Sequence, residues 1–553
     1  MKLALAPRTS ATLLLSALGI IASTTTGCGI DLCDTYTNLC QGGAPEGGAG
    51  EGGGGGPSTG GQGGDGGSGG SIDQDCVPSL LDGAQPSLPE KCEGIFLSSV
   101  ADDGGNGSRA TPFNDLQSAI DAVNELEGTA RVLYVCEGPY QAEDSVEIPE
   151  NLTIYGGLSC DWRYTGDRAT FKGIPNVPTL TFSGAGTRTV EDIDIEAAPA
   201  SGVTGKHGNS SIAVLASQAT VTFRRSRIEA GTGEDGGNAD APDAPKPQAP
   251  SGEPGDPGCV DASTNDGGAG GPNSCVLANG DEVDVSGGEG GLGDTDASAG
   301  DGDPGMPASM GGTPGDGQGS PGPSCTPGGP GESASNADPG QAASTAGTLA
   351  ADGYHGPATP NGPRGAPGEG GGGGGGGKEC TDATRGGAGG GGGGAGGCGG
   401  EGGKPGGAGG ASIAIAAIAN AVVMLETVQL VTQNGGEGGD GALGQSGQEG
   451  GYDMVSGVGG FPGSDSGDTN TQACAGGAGG RGGNGGPSAG ADGGVSALIA
   501  FASGATVTRM GEPAGADSLG VSGNGGSGVG GAPIGRKPAE CAEFDATTWA
   551  CKQ

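Results

Sequence analysis

One pattern recurs in three short stretches of the chain: TVEDIDIEAA (residues 189–198), TFRRSRIEAG (222–231) and MLETVQLVTQ (424–433). When the copies are aligned, Val190 falls over Phe223 and Leu425, and Ile195 falls over Ile228. Neighbouring coils of a parallel β-structure place equivalent residues in register in this way, with the apolar side chains inward. The repeats therefore predict an all-β fold in which parallel coils are stacked.

Charged residues alternate in sign across the same copies. The alignment sets acidic residues of one copy against basic residues of the next: Glu191, Asp192 and Asp194 against Arg224, Arg225 and Arg227, with Glu426 on the far side of Arg224. Opposite charges on neighbouring strands contribute about 0.2–1 kcal/mol per pair. A polysaccharide lyase or hydrolase would need the same residue types on adjacent coils. Because mutual pairing accounts for all of these charges, we expect a structural ladder rather than an active site.

The region before the repeats contains a helix signal. In ATPFNDLQSAIDAVNELEG (110–128), Thr111 is a fair N-cap and Pro112 suits the first helical position. Apolar residues then recur at helical spacing, at Phe113, Leu116, Ile120, Val123 and Leu126. We therefore expect one helix here, preceded by a strand in EGIFLSS (93–99).

The order of these segments resembles a known family. DDGGNGSRATPFNDLQSAIDAV (102–123) followed by LYVCEGPYQAEDSVEIPENLTIYGGLSCDW (133–162) is similar to the start of right-handed parallel β-helix proteins of the pectate-lyase-like class. The resemblance implies a right-handed parallel β-helix whose first coil is capped by the helix. The YGG after a strand (155–157) and the glycine-rich insertions most resemble glycine-rich bacterial surface lipoproteins of the myxobacterial type. That resemblance implies a fold and a location rather than an activity.

Glycine dominates the remainder of the chain. Of the 553 residues, 135 are Gly and 37 are Pro, and aromatic residues make up 3%. Such a composition is typical of low-complexity segments, so we expect one modest core interrupted by long glycine-rich loops. Some loops keep a three-residue beat, with Gly-Gly between Ala475, Ala478, Arg481, Asn484 and Pro487.

Two states remain open for these loops. A period of three is that of the polyproline-II helix, and the pattern resembles polyglycine-II bundles and the glycine-rich repeats of mycobacterial surface proteins. Disorder is the alternative, because ordering a residue costs about 1–2 kcal/mol and glycine loses the most freedom. For residues 231–340, which are rich in Pro, Asp and Ser and lack the beat, we expect disorder.

These signals divide the chain into eight expected parts. They are a signal peptide (1–27), a glycine-rich tether (28–75), the first β-helix coils (76–230), a Gly/Pro-rich loop (231–410), a coil (411–433), a second glycine-rich loop (434–494), a last coil (495–510), and a glycine-rich segment with a disulfide-stapled tail (511–553). Each loop begins just after a copy of the repeated strand. We therefore expect the loops to project from one face.

The N-terminus predicts export. Basic residues precede the short apolar stretch 13–22, which is typical of a secretory signal and too short to span a membrane. TTGC, ending at Cys28, resembles a bacterial lipobox, although Thr25 stands where Leu is usual. The resemblance implies a lipid on Cys28, and Gly29 after it implies the outer membrane. Cleavage by an ordinary signal peptidase near Ala22, giving a secreted protein, is the alternative.

Cysteine usage agrees with an exported protein. Of the 15 Cys residues, 14 remain when Cys28 is set aside, and in a secreted chain these are expected to form disulfides. The local pairs suggested by spacing are Cys33–Cys40, Cys76–Cys92, Cys136–Cys160, Cys259–Cys275 and Cys541–Cys551. With no C-x-x-C motif and only His207 and His355 as histidines, we expect no zinc or other metal site and no cofactor.

Charge and aromatic content limit the function. The net charge of −42 excludes nucleic acid and anionic lipid as favoured partners, because both require basic patches. We expect a non-catalytic structural or adhesive protein of the cell envelope, with extracellular polysaccharide or other surface proteins as candidate partners. A polysaccharide-active lyase or hydrolase is the alternative. Such an enzyme would be expected to show aromatic sugar platforms, for which only Trp162, Tyr155 and Tyr164 are available.

Overall fold

Three parallel β-sheets contain most of the regular structure. The computed structural model describes residues 72–552 except 127–130, 203–204, 261–263, 296–297, 320–323, 465–471, 503 and 514. Strands are numbered along the chain. The first sheet contains, in spatial order, β1 (Ile95–Leu97), β2 (Arg131–Cys136), β5 (Leu152–Leu158), β8 (Thr187–Glu191), β11 (Thr220–Arg224), β20 (Val422–Glu426) and β23 (Thr506–Met510).

The other two sheets run alongside the first in sequence. The second contains β3 (Gly138–Gln141), β6 (Ala169–Lys172), β9 (Ile193–Glu196), β12 (Arg227–Glu229) and β21 (Gln429–Val431). The third contains β4 (Val146–Glu147), β7 (Leu180–Ser183), β10 (Ser211–Ser217), β19 (Ser412–Ile418), β22 (Ser496–Phe501), β24 (Cys541–Asp545) and β25 (Ala550–Cys551). All pairs within the three sheets are parallel except β24–β25.

The chain visits the sheets in a constant order. From β2 to β12 it passes through the first, second and third sheets in turn, and β19 to β23 keep that order. Val190 pairs with Phe223 and Phe223 with Leu425, while Ile195 pairs with Ile228, as the repeats predicted. Apolar side chains from all three sheets share one buried cluster. The expectation of an all-β protein with parallel sheets is therefore confirmed.

A single helix packs against the start of the first sheet within the described residues. Helix α1 spans Leu116–Glu125 and buries four residues against β1 and β2: Leu116, Ala119, Ile120 and Val123. The predicted N-cap at Thr111 is wrong. Asp115 is the N-cap, and its carboxylate accepts the N–H of Ser118 at 2.7 Å. Phe113 lies outside the helix, because its backbone N–H donates to the carbonyl of Phe96 in β1. Two short 3-10 helices, Gln74–Cys76 and Pro78–Leu80, precede β1.

The two longest loops leave and return at equivalent places. The loop after β12 returns at β19, and the loop after β21 returns at β22, so both connect the second sheet to the third. The loop after β23 also returns to the third sheet, at β24. Short antiparallel pairs within the first loop were not expected: β13 (Thr264–Asn265) with β16 (Gly293–Asp294), β14 (Ser274–Val276) with β15 (Glu282–Asp284), and β17 (Thr348–Ala350) with β18 (Gly353–His355).

The glycine-rich residues form a laterally hydrogen-bonded array of extended segments. Within the described residues, backbone bonds connect the segment 386–411 to seven others: 208–211, 231–259, 265–273, 285–294, 356–377, 433–463 and 472–495. Neighbouring members of this ring also bond to each other, as Glu253 N–H does to Ala269 O at 2.8 Å. The segment 386–411 is therefore enclosed on every side along part of its length.

The bonds of this central segment repeat every third residue. Successive amides donate to three different neighbours in turn: Gly390, Gly391 and Gly392 to the carbonyls of Gly291, Cys474 and Glu253, then Gly393, Gly394 and Ala395 to those of Gly288, Gly477 and Pro250. Consecutive residues therefore face three directions, and the pattern closes after three residues. The beat seen in the sequence is the period of this lateral bonding.

The run of eight glycines, residues 370–377, lies at a second centre. Its bonded neighbours are the segments 285–294, 299–306, 311–318, 326–331, 388–394 and 474–477. A Cβ on Gly373, Gly374 or Gly375 would overlap the carbonyl oxygen of Glu289, Cys474 or Asp316 respectively, each in a different neighbour. No direction has room for a side chain, so an enclosed segment must be glycine at all three positions of the period.

Side chains replace glycine in the central segment beyond Gly392. A Cβ on Gly389 or Gly392 would overlap a carbonyl oxygen of the segment 265–273. Further along the same three-residue period stand Ala395 and Cys398, which are buried, and then Glu401 and Lys404, which are exposed. Among the described residues, this direction is therefore open to solvent at Glu401 and Lys404.

Edge segments use proline at outward positions. Pro254, Pro257, Pro327 and Pro330 are exposed. Around Pro254, Glu253 donates to Ala269 and Gly255 donates to Phe461, so the intervening residue faces away from both partners. Proline has no N–H and leaves no donor unpaired at such a position.

The expectation of disorder for residues 231–340 is wrong. The segments 231–259, 265–273, 285–294, 299–306, 311–318 and 326–340 all make backbone hydrogen bonds to the array. The local sequence lacked the glycine beat because several of these segments lie at the edge. At the edge of the array, only one residue position in three has to be glycine.

Candidate functional site

The predicted charged ladder lies at the turns between the first and second sheets. β8 ends at Glu191 and β9 begins at Ile193, so Asp192 alone makes the turn, at φ 55°. Arg225 (φ 47°) and Thr427 (φ 57°) occupy the corresponding turns of the next two coils. A left-handed conformation costs roughly 1–2 kcal/mol for a residue with a Cβ. The turn residues are therefore strained unless contacts between the coils hold them.

Ion pairs supply those contacts. Arg225 Nη2 lies 2.9 Å from Asp192 Oδ2 and also contacts Glu191. Arg224 bridges two coils, with Nε 2.7 Å from Glu426 and Nη1 3.7 Å from Glu191. Glu191 is almost fully buried and also accepts a hydrogen bond from Ser79. These pairs join the residues that the sequence alignment set opposite each other.

The third predicted pair differs. Asp194 accepts the backbone N–H of Arg227 at 3.1 Å, but the Arg227 guanidinium instead pairs with Glu229 at 2.5 Å. The carboxylate of Asp194 pairs with Arg168 Nε at 2.8 Å. Arg168 was missed because it precedes the first repeat copy. In the structure Ala169 pairs with Ile193, which places Arg168 opposite Asp192, and no repeat copy in the sequence indicated this register.

A cleft of about 530 Å³ opens beside these turns. Its lining comprises Tyr164, Gly166, Asp167, Arg168, Asp192, Asp194, Arg225 and Thr427. Tyr164 donates its hydroxyl to Asp192 Oδ2 at 3.1 Å. The buried carboxylates in the cleft are thus held by guanidinium and hydroxyl donors. A general base needs a free carboxylate lone pair aimed at substrate, and these interactions compete for that role.

Burial dominates the electrostatics of the cleft. It raises the pKa of Asp192 above the ordinary value for aspartate, against the opposing hydrogen bond and charge of Arg225. Burial likewise raises the pKa of Asp194, against the charge of Arg168. Burial disfavours the charged form of Arg225, but its bond to Asp192 and the charges of Glu191 and Asp192 outweigh this and raise its pKa. The ion pairs therefore offset only part of the cost of desolvating the two aspartates.

This balance predicts an unusual pH dependence. Because the pKa of Asp192 is higher in the folded chain, its contribution to stability is complete below the unfolded value and is lost as the pH rises through the folded value. We expect wild-type protein to gain stability relative to Asp192→Asn as the pH falls from 7 towards 4. Thermal unfolding of both proteins across this range measures the difference.

Asp382 provides a control of opposite sign. Hydrogen bonds from Thr384 lower its pKa, so its contribution is present above the unfolded value and lost as the pH falls. Wild-type protein should therefore lose stability relative to Asp382→Asn as the pH falls below about 4, where the carboxyl of the unfolded chain takes up its proton first. A wild-type minus Asp192→Asn difference that is flat with pH, or that has the sign of the Asp382 control, contradicts the assignment.

The aromatic residues considered as sugar platforms are mostly covered. Trp162 is 6% exposed and Tyr155 is 5% exposed. Trp162 packs edge-on against Phe96 at 4.8 Å, in a cluster that includes residues of the segment 72–92. Tyr164 reaches the cleft. Two of the three aromatic rings are therefore unavailable for stacking on a sugar in this state.

Several predicted disulfides are present. The structure joins Cys76 to Cys92, Cys136 to Cys160 and Cys541 to Cys551, in agreement with the pairs suggested by spacing. Cys136 ends β2, and Cys160 follows β5, the neighbouring strand of the first sheet. That bridge therefore staples adjacent coils. Cys28, Cys33 and Cys40 lie outside the described residues.

The predicted pair Cys259–Cys275 is wrong. Three long-range bridges tie the array instead: Cys259–Cys380, Cys275–Cys398 and Cys325–Cys474, with sequence separations of 121, 123 and 149. Spacing failed here because Cys259 ends one segment of the array (231–259) and Cys275 follows another (265–273), so the two cysteines do not close one local loop. The partners of these cysteines come from neighbouring segments that are remote in sequence.

In the described part of the chain, no group of three or more His, Cys, Asp or Glu side chains is arranged to hold a metal ion. No helix in that part is long and apolar enough to cross a membrane. His207 and His355 both line a second cavity of about 430 Å³ between the segments 176–178, 207–212 and 352–356.

Comparison with known proteins identifies no relative. The chain matches no family model, no curated protein and no solved structure.

Proposed function

We propose that the three parallel sheets are the faces of one right-handed parallel β-helix, capped at its start by α1. The constant order in which the chain visits the sheets supports this, as does the in-register stacking of Val190, Phe223 and Leu425. Parallel strands joined by crossover connections are right-handed in nearly all proteins. The buried cluster shared by the sheets would be the interior of the helix.

We propose further that the glycine-rich array has polyglycine-II character. The three-residue period of its lateral hydrogen bonds supports this, and so does the glycine requirement at its two centres. Such an array would be a rigid extension of the β-helix. At about 3.1 Å per residue, the segment 386–411 alone would be roughly 80 Å long.

For the protein as a whole, we propose a structural or adhesive role in the cell envelope, without catalysis. The observation that carries the proposal is the set of long-range disulfides tying a backbone-bonded array. Such bonds form in oxidising compartments outside the cytoplasm. The chain would be exported and held at the outer membrane by a lipid on Cys28. Its net charge of −42 would keep the glycine-rich surface soluble.

Inhibition of lipoprotein processing tests the anchor. Globomycin, or the change Cys28→Ser, is expected to block maturation and to move the protein out of the outer-membrane fraction. Immunoblotting of fractionated cells measures both effects. A protein that is processed normally and fractionates unchanged under both treatments is not a lipoprotein, and a secreted form cleaved near Ala22 then replaces this proposal.

The cleft supports a second candidate, a polysaccharide-active enzyme. It brings the buried Asp192 and the half-buried Asp194 together with Arg168 and Arg225 in an open cavity. Screening the purified protein on pectins and other glycans, with Asp192→Asn alongside, separates the two functions. We expect no turnover by either protein. Activity that Asp192→Asn abolishes would establish the enzyme instead.

A further inference from the structure

The three sheets end differently on their C-terminal side. In the third sheet, β25 folds back and covers the outer edge of β24. Along the second sheet, Ser518 donates its N–H to Leu430 and accepts the N–H of Thr432, so the segment 515–518 covers β21. In the first sheet, β23 pairs with β20, and no described residue pairs with its other edge. Among the described residues, one of the three edges is therefore left uncovered.

An uncovered edge of a β-sheet can lead to unwanted association with another chain. It presents a row of unpaired N–H and C=O groups that another chain can extend. β23 is short but well exposed, with Thr506, Thr508 and Met510 all at the surface. Met510 on this strand and Val422 on the neighbouring β20 are exposed apolar side chains. A second copy of this chain offers the same edge.

The apolar column of the first sheet, meaning its stack of buried apolar side chains in register, ends at this edge. Ile154, Val190, Phe223 and Leu425 stack in register through four coils, and all are buried. The next position is Arg509, which pairs with Leu425. Equivalent positions in register lie on the same sheet face, so the chain places a charge where the next core residue would stand.

Local contacts hold that charge at the end of the core. Arg509 Nη1 lies 2.5 Å from Asp517 Oδ2, and Nη2 donates to the carbonyl of Val428 at 3.2 Å. Val428 itself belongs to the buried cluster. Asp517 is anchored in turn, because its Oδ1 accepts the N–H of Leu430 at 2.9 Å. The guanidinium therefore covers the last apolar layer and is fixed on both sides.

We propose that Arg509, held by Asp517, ends the stack and prevents β23 from pairing with β23 of a second copy. A strand added to this edge would desolvate the guanidinium, and moving a charged group out of water costs several kcal/mol. Inward-pointing charges on edge strands are a general means of blocking such pairing. The inference does not depend on the proposed envelope function.

Removing the charge tests the inference. Arg509→Leu restores the apolar column and leaves the edge uncovered. We expect it to associate at least tenfold more tightly than wild type, as measured by sedimentation velocity over a range of protein concentrations. Arg509→Lys keeps an inward charge and should sediment like wild type. Arg481→Leu is the matched control, because it removes another partly exposed arginine, paired with Glu449 at 2.7 Å, from the array.

Arg509→Gln keeps the test decisive if the Leu variant fails to fold. It removes the charge but keeps a polar side chain, and it should associate more tightly than Arg509→Lys. Unchanged sedimentation of every folded uncharged variant overturns the proposal. Wild-type protein that already dimerises through β23, shown by loss of the dimer when Val507, on that strand, is changed to Pro, overturns it as well.

Discussion

Replacing Cys275 and Cys398 together by alanine is expected to lower the free energy of unfolding by about 4 kcal/mol. The variant keeps the neighbouring Cys259–Cys380 bridge, so the loop that Cys275–Cys398 adds to the unfolded chain contains about 34 residues, 16 on one side and 18 on the other. The entropy that a cross-link removes from the unfolded chain grows with loop length. Both cysteines are buried, at 1% and 3% exposure, where the hairpin of β14 and β15 meets the central segment. Denaturant unfolding of the oxidised proteins measures the loss.

The bridge between Cys541 and Cys551 is the control for loop length. It closes a loop with a sequence separation of 10, so the same entropy argument gives about 2.7 kcal/mol for its removal by a double alanine change. The ranking of the two variants is the sharper test. If the Cys541/Cys551 variant is destabilised as much as the Cys275/Cys398 variant, loop closure does not account for the stability of the array.

Gly373→Ala is expected to destabilise the array by about 3 kcal/mol or more, the upper end of the range for overpacked interiors. A methyl group at this position would overlap the carbonyl oxygen of Glu289. The neighbour is backbone and cannot rotate away. Relief would require the segment 285–294 to move, and that segment is bonded to both centres of the array. Thermal unfolding and resistance to limited proteolysis measure the effect.

Gly237→Ala is the matched control. Gly237 also belongs to the array and donates its N–H to Lys206 at 2.7 Å. An added Cβ would find its nearest atom, the Lys206 carbonyl oxygen, at 3.5 Å, which is ordinary van der Waals contact. Its backbone is not in the left-handed region, so alanine should be tolerated within about 0.5 kcal/mol. Equal behaviour of the two variants would mean that glycine at residue 373 is not required by packing.

The glycine content of each segment follows the number of neighbours around it. Residues 370–377 have neighbours in all three directions and are all glycine. The beat of Ala475, Ala478, Arg481, Asn484 and Pro487 leaves one direction free, and each of these side chains is partly exposed. At the edge, 252–258 keeps glycine in one position of three. The composition of a segment thus reports how many sides of it are covered.

Local sequence was sufficient for the β-sheet spine. The copies at 189–198, 222–231 and 424–433 predicted both the pairing partners and the register, because stacked parallel coils repeat the same inward positions. The short-range disulfides were also predictable, because the two cysteines of each pair lie close together in the sequence. The helix start was misplaced by four residues, since Thr111 and Asp115 both have the chemistry of an N-cap. Only the pairing of Phe113 with Phe96 decides between them.

The charged cluster was predicted in part. The alignment of the internal repeats set the acidic Glu191 and Asp192 opposite the basic Arg224 and Arg225. These residues form ion pairs in the structure. It did not show that Arg168 would bind Asp194, nor that a cleft would open beside Tyr164. These features depend on the path of the chain between β5 and β6, which no repeat copy specifies.

By itself, the sequence determined that the chain builds parallel strands in one register, with glycine-rich insertions between them. A period of two residues and a stacked repeat are properties that each segment carries in its own residues. Only the tertiary structure decided which insertions lie beside which, and therefore which cysteines pair across more than 100 residues. The physical reason is that glycine segments recognise one another through backbone hydrogen bonds. The backbone is the same at every residue, so the side chains encode how many neighbours a segment has but not which ones.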